Sequence, residues 1–172
     1  SSDVCSSDLV RAMVCLRTAV PSRDGAQYLW LAERAAAGDL HGLFATVFPP
    51  GYPLLTGALL WLAPGLDPFA AGQITSAGCA ALAVLPIWWI TQQLYGTRAA
   101  WWAGLAYALG TWFCRHPAEA MSEGPFYFVV SLWAWLLLRS APGAAGALAS
   151  YAYLIRPEGA ALHLIAAVWL LA

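Results

Sequence analysis

The fold class is indicated first by an apolar stretch without a charged residue, Phe69 to Leu94, which reads FAAGQITSAGCAALAVLPIWWITQQL. A helix needs about 20 predominantly apolar residues to cross the hydrocarbon core of a bilayer, and this stretch is long enough. Pro86 has no backbone N–H and therefore predicts a kink inside the helix. We expect one kinked transmembrane helix here.

Other apolar stretches lie on both sides of this helix. They are Leu54 to Ala63, Ala99 to Cys114, Pro125 to Leu138, Gly143 to Ile155 and Gly159 to Ala172. The first is closed by Pro64-Gly65 and predicts a marginal span or a re-entrant segment, and the next two cross only if their flanks are included. Small residues dominate Ala141 to Ala149, which favours close packing of helices in a bilayer. The pattern predicts an all-α fold, a polytopic transmembrane helix bundle.

The composition supports the same class. The chain is 61% hydrophobic and 10% charged, and it contains ten Trp, whereas a soluble domain carries about 25% charged residues. Its net charge of -1 provides no basic surface for nucleic acid. The cysteines show neither metal-ligand spacing nor a disulfide framework. We expect an integral, multi-pass membrane protein.

The first nine residues, Ser1 to Leu9, differ from all that follows because they are polar and internally repetitive. A nucleotide string that resembles a widely used short-read sequencing adapter encodes this peptide. We interpret residues 1–9 as an artefact, although a genuine polar N-terminus is the alternative. Residues 10–172 are then a partial membrane domain that we expect to be truncated at both ends.

A polar island, which begins at Pro21, interrupts the apolar sequence. Within it, the apolar residues follow the period of one helix face, at Tyr28, Leu31, Ala32 and Ala35. The pattern predicts a helix from Asp24 to Ala37 that Gly38 ends. Because this helix is too polar to span a bilayer, we expect it to lie along the membrane interface, in the first outer loop.

The arginines indicate an orientation for the bundle. Arg98 and Arg139 lie in short turns without acidic residues, and the positive-inside rule places such turns in the cytoplasm. If the segments between them cross once each, the Asp24 loop, Arg115 to Glu123 and Arg156 to Glu158 lie on the outer face. We therefore expect these three ionisable clusters to converge on one side of the membrane.

Asp24 is the first candidate for chemistry. With Gln27 three residues later, it fits a helix N-cap with a capping box. A carboxylate at the start of a helix is also rigidly aimed, as a general base requires. The two roles are compatible, and both remain open.

The second cluster consists of Arg115, His116, Glu119 and Glu123. Ionisable side chains at membrane depth are costly and usually face a cavity or a partner. Glu119 and Glu123 are four residues apart and would share one face if the segment is helical. They could bind a cation, pair with Arg115 or orient an acceptor hydroxyl. The alternative is a solvated loop.

The third cluster, Arg156-Pro157-Glu158, separates two apolar stretches. A guanidinium group is planar and presents paired N–H donors that match phosphate oxygens. Arg156 is therefore a candidate phosphate clamp. The alternative is an ordinary loop that holds a local Arg–Glu pair.

Three stretches together resemble the membrane-embedded glycosyltransferases of the GT-C fold. The first is Arg23-Asp24-Gly25-Ala26-Gln27-Tyr28-Leu29, which is similar to the family's first outer loop. The second is Pro49-Pro50-Gly51-Tyr52-Pro53-Leu54-Leu55, similar to a Pro-Pro-x-Tyr motif before a helix. The third is Tyr153-Leu154-Ile155-Arg156-Pro157-Glu158-Gly159, as in bacterial members. The likeness is greatest to bacterial proteins similar to protein O-mannosyltransferases (glycosyltransferase family 39) and to aminoarabinose transferases, and it covers nearly all of Val20 to Ala172.

The resemblance implies an inverting transfer of a sugar from a polyprenyl-phosphate carrier to a lipid, glycan or protein acceptor. It also implies a location in a bacterial plasma membrane. It implies that Asp24 is the catalytic carboxylate and that Arg115 and Arg156 neutralise the leaving phosphate. His116, Glu119 and Glu123 are further candidates for substrate or phosphate binding. Many relatives have a second acidic residue where this chain has Gly25, which leaves the acceptor class and a divalent cation open. We expect the partial chain to be inactive by itself.

Two other functions fit a membrane bundle. A transporter or flippase tends to show paired repeats and charges at mid-membrane, whereas this chain has no repeat and its charges lie at helix ends. A non-catalytic membrane subunit is the other alternative. In that case Asp24 is only a helix cap.

Overall fold

A computed structural model of the chain describes Met13, Thr18, residues 20–110 and residues 118–171, with Leu170 described as backbone only. These residues form helices and turns and contain no strand, which confirms the predicted all-α class. The suspected artefact at residues 1–9 lies outside the described residues, as do Arg115 and His116.

Nine α-helices and one 3-10 turn occupy the described part of the chain. They are α1 (Arg23–Ala36), α2 (Leu40–Phe44), α3 (Gly51–Leu62), α4 (Pro68–Leu82), α5 (Val84–Tyr95), α6 (Thr97–Leu109), α7 (Glu123–Leu138), α8 (Pro142–Ile155), the 3-10 turn Pro157–Gly159 and α9 (Ala160–Leu171). The main contacts between helices are those of α1 with α3, of α5 with α6, of α7 with α4 and α5, and of α8 with α7 and α9.

Helix α1 matches the predicted amphipathic helix but begins differently. Its N-cap is Ser22, whose side chain accepts a hydrogen bond from the backbone N–H of Gly25 at 3.0 Å. The prediction of Asp24 as the cap is therefore wrong, because Asp24 lies inside the first turn, where a carboxylate still favours the positive end of the helix dipole. The predicted stop is confirmed: Gly38 follows the helix with φ of +81°, a conformation that glycine adopts without strain.

The apolar stretch that opened the analysis forms α4 and α5, which run on from Pro68 to Tyr95 with an interruption at Ala83. The interruption lies three residues before Pro86, whose missing N–H leaves the Leu82 carbonyl without its usual helical partner. Among the described residues, this is the one helix long and apolar enough to cross a membrane. Only 22% of its apolar window is buried inside the molecule, whereas the core helix of a soluble protein is mostly buried. The helix therefore points to association with a membrane.

Helices α7 and α8 share an apolar cluster, and small residues form the α8 side of it. Ala145, Ala149 and Ala152 follow one face of α8, and all three are fully buried. They pack against Val129 and Trp133 of α7 in one cluster. The close packing predicted from the small residues of this segment is confirmed, because a methyl side chain lets two helix backbones approach.

Candidate functional site

A pocket of about 250 Å³ lies between α1, the segment before α3 and the break after α8. Its lining combines aromatic and apolar residues with two charged ones: Tyr28, Val47, Phe48, Pro49, Arg156, Pro157 and Glu158. The Tyr28 ring meets the ring of Phe48 edge to face, with the centroids 5.4 Å apart. We call this the arginine pocket, since Arg156 is its cationic wall.

Arg156 is held by a carboxylate from another helix. Its Nη2 donates a hydrogen bond to Oε1 of Glu123 at 3.0 Å, in an ion pair that spans 33 positions of sequence. The Glu123 side chain is 10% exposed and the Arg156 side chain 31%. The carboxylate therefore lies on the inner side of the pair, and the guanidinium lies on the pocket side.

The local sequence explains why these two residues meet. Pro157 restricts the residue before it to extended conformations, and Arg156 has φ of −151° and ψ of 139° as α8 ends. Glu123 is the first residue of α7, where the helix dipole favours a negative charge. Each side chain thus leaves a helix terminus, and the packing of α8 on α7 brings the two termini together.

One buried oxygen of this ion pair, Oε2 of Glu123, lacks a hydrogen-bond partner among the described residues. A buried polar atom without a partner costs roughly 1–3 kcal/mol, and in a native protein it calls for an explanation such as a bound water or a functional role. Its position next to Arg156 adds a physical reason to place the functional site here.

The turn before α7 is fixed from two sides. The Ser76 hydroxyl of α4 donates to the Met121 carbonyl at 2.6 Å, and Gln73 Nε2 donates to the Ala118 carbonyl at 2.8 Å. From the other side, Gly25 of α1 lies so close that a Cβ there would come 2.6 Å from the Glu119 carbonyl oxygen. The start of α7, with Glu123, is therefore held rigidly between α1 and α4.

Asp24 and Tyr28 are one helical turn apart on α1, so they share a face. Asp24 is exposed and does not line the arginine pocket, whereas Tyr28 is 7% exposed and does. Burial raises the pKa of Tyr28, although the neighbouring Ser122 hydroxyl and the charge of Arg156 act in the opposite direction. Tyr28 therefore remains protonated at neutral pH.

Glu119 and Glu123 do not share a helix face, which they would have done if the segment were helical. Residues 119 and 120 form a turn, and Ala120 has a positive φ of 56°, a conformation that a helix does not contain. Helix α7 begins only at Glu123, so Glu119 belongs to the turn and Glu123 to the ion pair. Arg115 and His116, the other two candidates of this cluster, lie outside the described residues.

The described members of the three ionisable clusters lie near one another in the fold. Gly25, next to Asp24, contacts the turn of Glu119, and Glu123 pairs with Arg156. No group of three or more His, Cys, Asp or Glu side chains that could hold a metal ion occurs among the described residues.

The pocket also contains residues that the sequence reasoning did not select. Tyr28, Phe48 and Glu158 line it, yet only Asp24 and Arg156 were chosen from the same stretches. Tyr28 could have been selected from its position four residues after Asp24, which places both residues on one face of the helix. Phe48 gave no signal, because it reaches the pocket through its ring contact with Tyr28 rather than through a motif.

No family model matches the chain, and no curated protein or solved structure matches it either. The likeness to GT-C transferases therefore rests on the three stretches quoted above. Each of them contributes to the lining of the arginine pocket: Tyr28 from the first, Pro49 from the second, and Arg156, Pro157 and Glu158 from the third.

Proposed function

We propose that the chain is part of a multi-pass membrane glycosyltransferase that moves a sugar from a polyprenyl-phosphate carrier to an acceptor on the outer face of the membrane. The observation that supports this most is the meeting of three separate stretches at one pocket. Residues 23–29, 49–55 and 153–159 are far apart in sequence, yet each lines the arginine pocket.

The chemistry of the pocket suits a sugar phosphate that carries an apolar chain. The Arg156 guanidinium offers N–H donors in the planar arrangement that matches phosphate oxygens. The rings of Tyr28 and Phe48 with Pro49 form an apolar wall, against which a sugar face or the first isoprene units can pack. An aromatic wall beside one cation thus provides for both parts of a lipid-linked donor.

In the proposed reaction, the Asp24 carboxylate accepts the proton of the acceptor hydroxyl. The hydroxyl oxygen then attacks the anomeric carbon in line with the bond to the carrier, and a new glycosidic C–O bond forms. The old C–O bond breaks, and the lipid phosphate leaves with its electron pair. Arg156, together with Arg115, stabilises the charge that develops on the phosphate.

Several membrane crossings are part of this proposal. Helices α3 and α7 are apolar but shorter than a usual span. Large apolar side chains on several helices are exposed, including Trp61 on α3, Trp102 on α6 and Leu164 on α9. Contact with lipid would remove the cost of exposing these side chains to water.

A binding experiment tests the proposal. The purified chain, reconstituted in nanodiscs, is titrated with a polyprenyl phosphate while its tryptophan fluorescence is followed, and the unphosphorylated polyprenol of equal length serves as the ligand control. We expect saturable binding of the phosphate alone. Arg156→Lys, which keeps the charge but loses the planar fork, should weaken binding about tenfold, or ~1.4 kcal/mol.

The matched control is Arg98→Lys, because Arg98 is an exposed arginine at the start of α6 and makes no part of the pocket. It should bind the phosphate like the wild type. Equal binding of the phosphate and the polyprenol would remove phosphate recognition and, with it, the transferase proposal. A transporter or a non-catalytic subunit would then be the better account.

A further inference from the structure

We infer that Glu123 is a positioning residue: it holds the Arg156 guanidinium in one orientation toward the arginine pocket, and it does not itself contact the ligand. The identity of the ligand, a phosphate on a lipid carrier, rests on the proposed function. The mechanical role of Glu123 rests on the ion pair alone.

The positions of the two residues assign contact with the ligand to Arg156 and the positioning of its guanidinium to Glu123. Arg156 lines the pocket, whereas Glu123 is absent from its lining and lies behind the guanidinium. The pair is monodentate, since Nη2 of Arg156 meets Oε1 of Glu123. A guanidinium has five N–H donors, so a bond to Glu123 through one nitrogen leaves donors on its other edge for phosphate oxygens.

Glu123 is a suitable anchor because its own position is fixed. It begins α7, directly after the turn that Ser76 holds by a hydrogen bond to the Met121 carbonyl. Its neighbour Gly124 is packed against the backbone of Ser76. The carboxylate is therefore held in place, and its hydrogen bond restricts the movement of the Arg156 guanidinium.

An unconfined arginine would bind less well. Arginine has one of the largest side-chain entropies, and ordering such a side chain on binding costs free energy. The Arg156 side chain is 31% exposed, so without a partner it could turn toward water. Glu123 removes this freedom before the ligand arrives, which is the physical meaning of preorganisation.

Charge and position predict opposite results for Glu123. The carboxylates of Glu123 and Glu158 both lie near Arg156. If only net charge mattered, removing either carboxylate would strengthen the binding of an anion. If Glu123 positions the guanidinium, its removal weakens binding although a negative charge is lost.

The experiment compares Glu123→Gln and Glu123→Asp with the control Glu33→Gln, an exposed glutamate of α1 outside the pocket lining, in the polyprenyl-phosphate titration. We expect a loss of about fivefold for both Glu123 variants and no loss for Glu33→Gln. Glu123→Asp is decisive because it keeps the charge and only withdraws the carboxylate by one methylene. The inference is overturned if both Glu123 variants bind as tightly as the wild type or more tightly.

A second measurement does not depend on the ligand. Phenylglyoxal modifies accessible guanidinium groups, and mass spectrometry reports the rate at Arg156 in the protein without ligand. Release of Arg156 in Glu123→Gln should raise that rate several-fold, while the rate at Arg98 stays constant.

If the wild type fails to bind polyprenyl phosphate, the proposed function fails, but the rate of modification at Arg156 still decides the role of Glu123. An unchanged rate at Arg156 would contradict the inference. If Glu123→Gln does not fold, the same comparison is made with Glu123→Asp.

Discussion

The replacement of Gly124 by alanine is the sharpest test of how the start of α7 is held. A Cβ at Gly124 would lie 2.9 Å from the Ser76 hydroxyl oxygen and inside the contact distance of the Ser76 carbonyl oxygen. The obstacle is backbone, so a side-chain rotation cannot relieve it, and α7 must withdraw from α4. Withdrawal would stretch the hydrogen bond from the Ser76 hydroxyl to Met121, now 2.6 Å.

The size of the effect follows from two opposing contributions. Overpacking of a well-packed contact costs about 1–3 kcal/mol, and the helix propensity of alanine over glycine returns up to about 1 kcal/mol. We expect Gly124→Ala to lower the free energy of unfolding by about 1–2 kcal/mol. For a chain of this size the melting temperature falls by roughly 2–8 °C.

The matched control is Gly78→Ala in α4, where nothing lies within 4 Å of the added Cβ. This variant gains the helix propensity without the clash and should melt at or above the wild-type temperature. The assay is thermal unfolding of the two alanine variants in nanodiscs. The polyprenyl-phosphate titration is then repeated with both variants. Equal melting temperatures for the two alanine variants would refute the close contact between α7 and α4.

Two further predictions concern local hydrogen bonds. Tyr52→Phe removes the buried hydrogen bond from the Tyr52 hydroxyl to the Gly72 carbonyl, 3.0 Å, and should cost about 0.5–1.5 kcal/mol in a denaturation measurement, whereas an unchanged midpoint would show that the bond contributes nothing. The hydrogen bond from the Gly42 backbone N–H, and then Arg34, lower the pKa of Asp39, so the folded state favours its ionised form. This stabilisation is present above the unfolded pKa of about 3.9 and is lost as pH falls through the lowered value. The melting temperature of Asp39→Asn should therefore approach that of the wild type below about pH 4, and a constant difference between pH 7 and pH 3 would contradict the assignment.

The helices could largely be predicted from the sequence, because the face and the end of a helix depend on residues that are close together in the chain. The period of Tyr28, Leu31 and Ala32 gave the buried face of α1, and all three are buried. Gly38 gave its end, and the small residues of α8 gave its packing face. The N-cap was misplaced by two residues, because Ser22 and Asp24 both suit a cap, and the contact of Gly25 with the turn at Glu119 decides where α1 begins.

The site was predicted only in part, because its contacts are distant in sequence. The pairing of Glu123 with Arg156 depends on how α8 packs against α7, and no spacing rule encodes it. The turn at Ala120, with its positive φ, interrupts a segment whose composition would permit a helix. Arg156 was selected from its chemistry, whereas Phe48 enters the pocket only through the tertiary fold.

The most direct test of the central claim is sugar transfer from a labelled polyprenyl-phosphate donor. Membranes are prepared from cells that express the full reading frame carrying this chain, either as wild type or with Asp24→Asn, and Glu33→Gln on the exposed side of α1 serves as the matched control. We predict transfer by the wild type and by Glu33→Gln, and its loss in Asp24→Asn at equal expression and membrane insertion. Transfer by Asp24→Asn at the wild-type rate would remove Asp24 from the mechanism, and no transfer by any of the three proteins would contradict the proposed function.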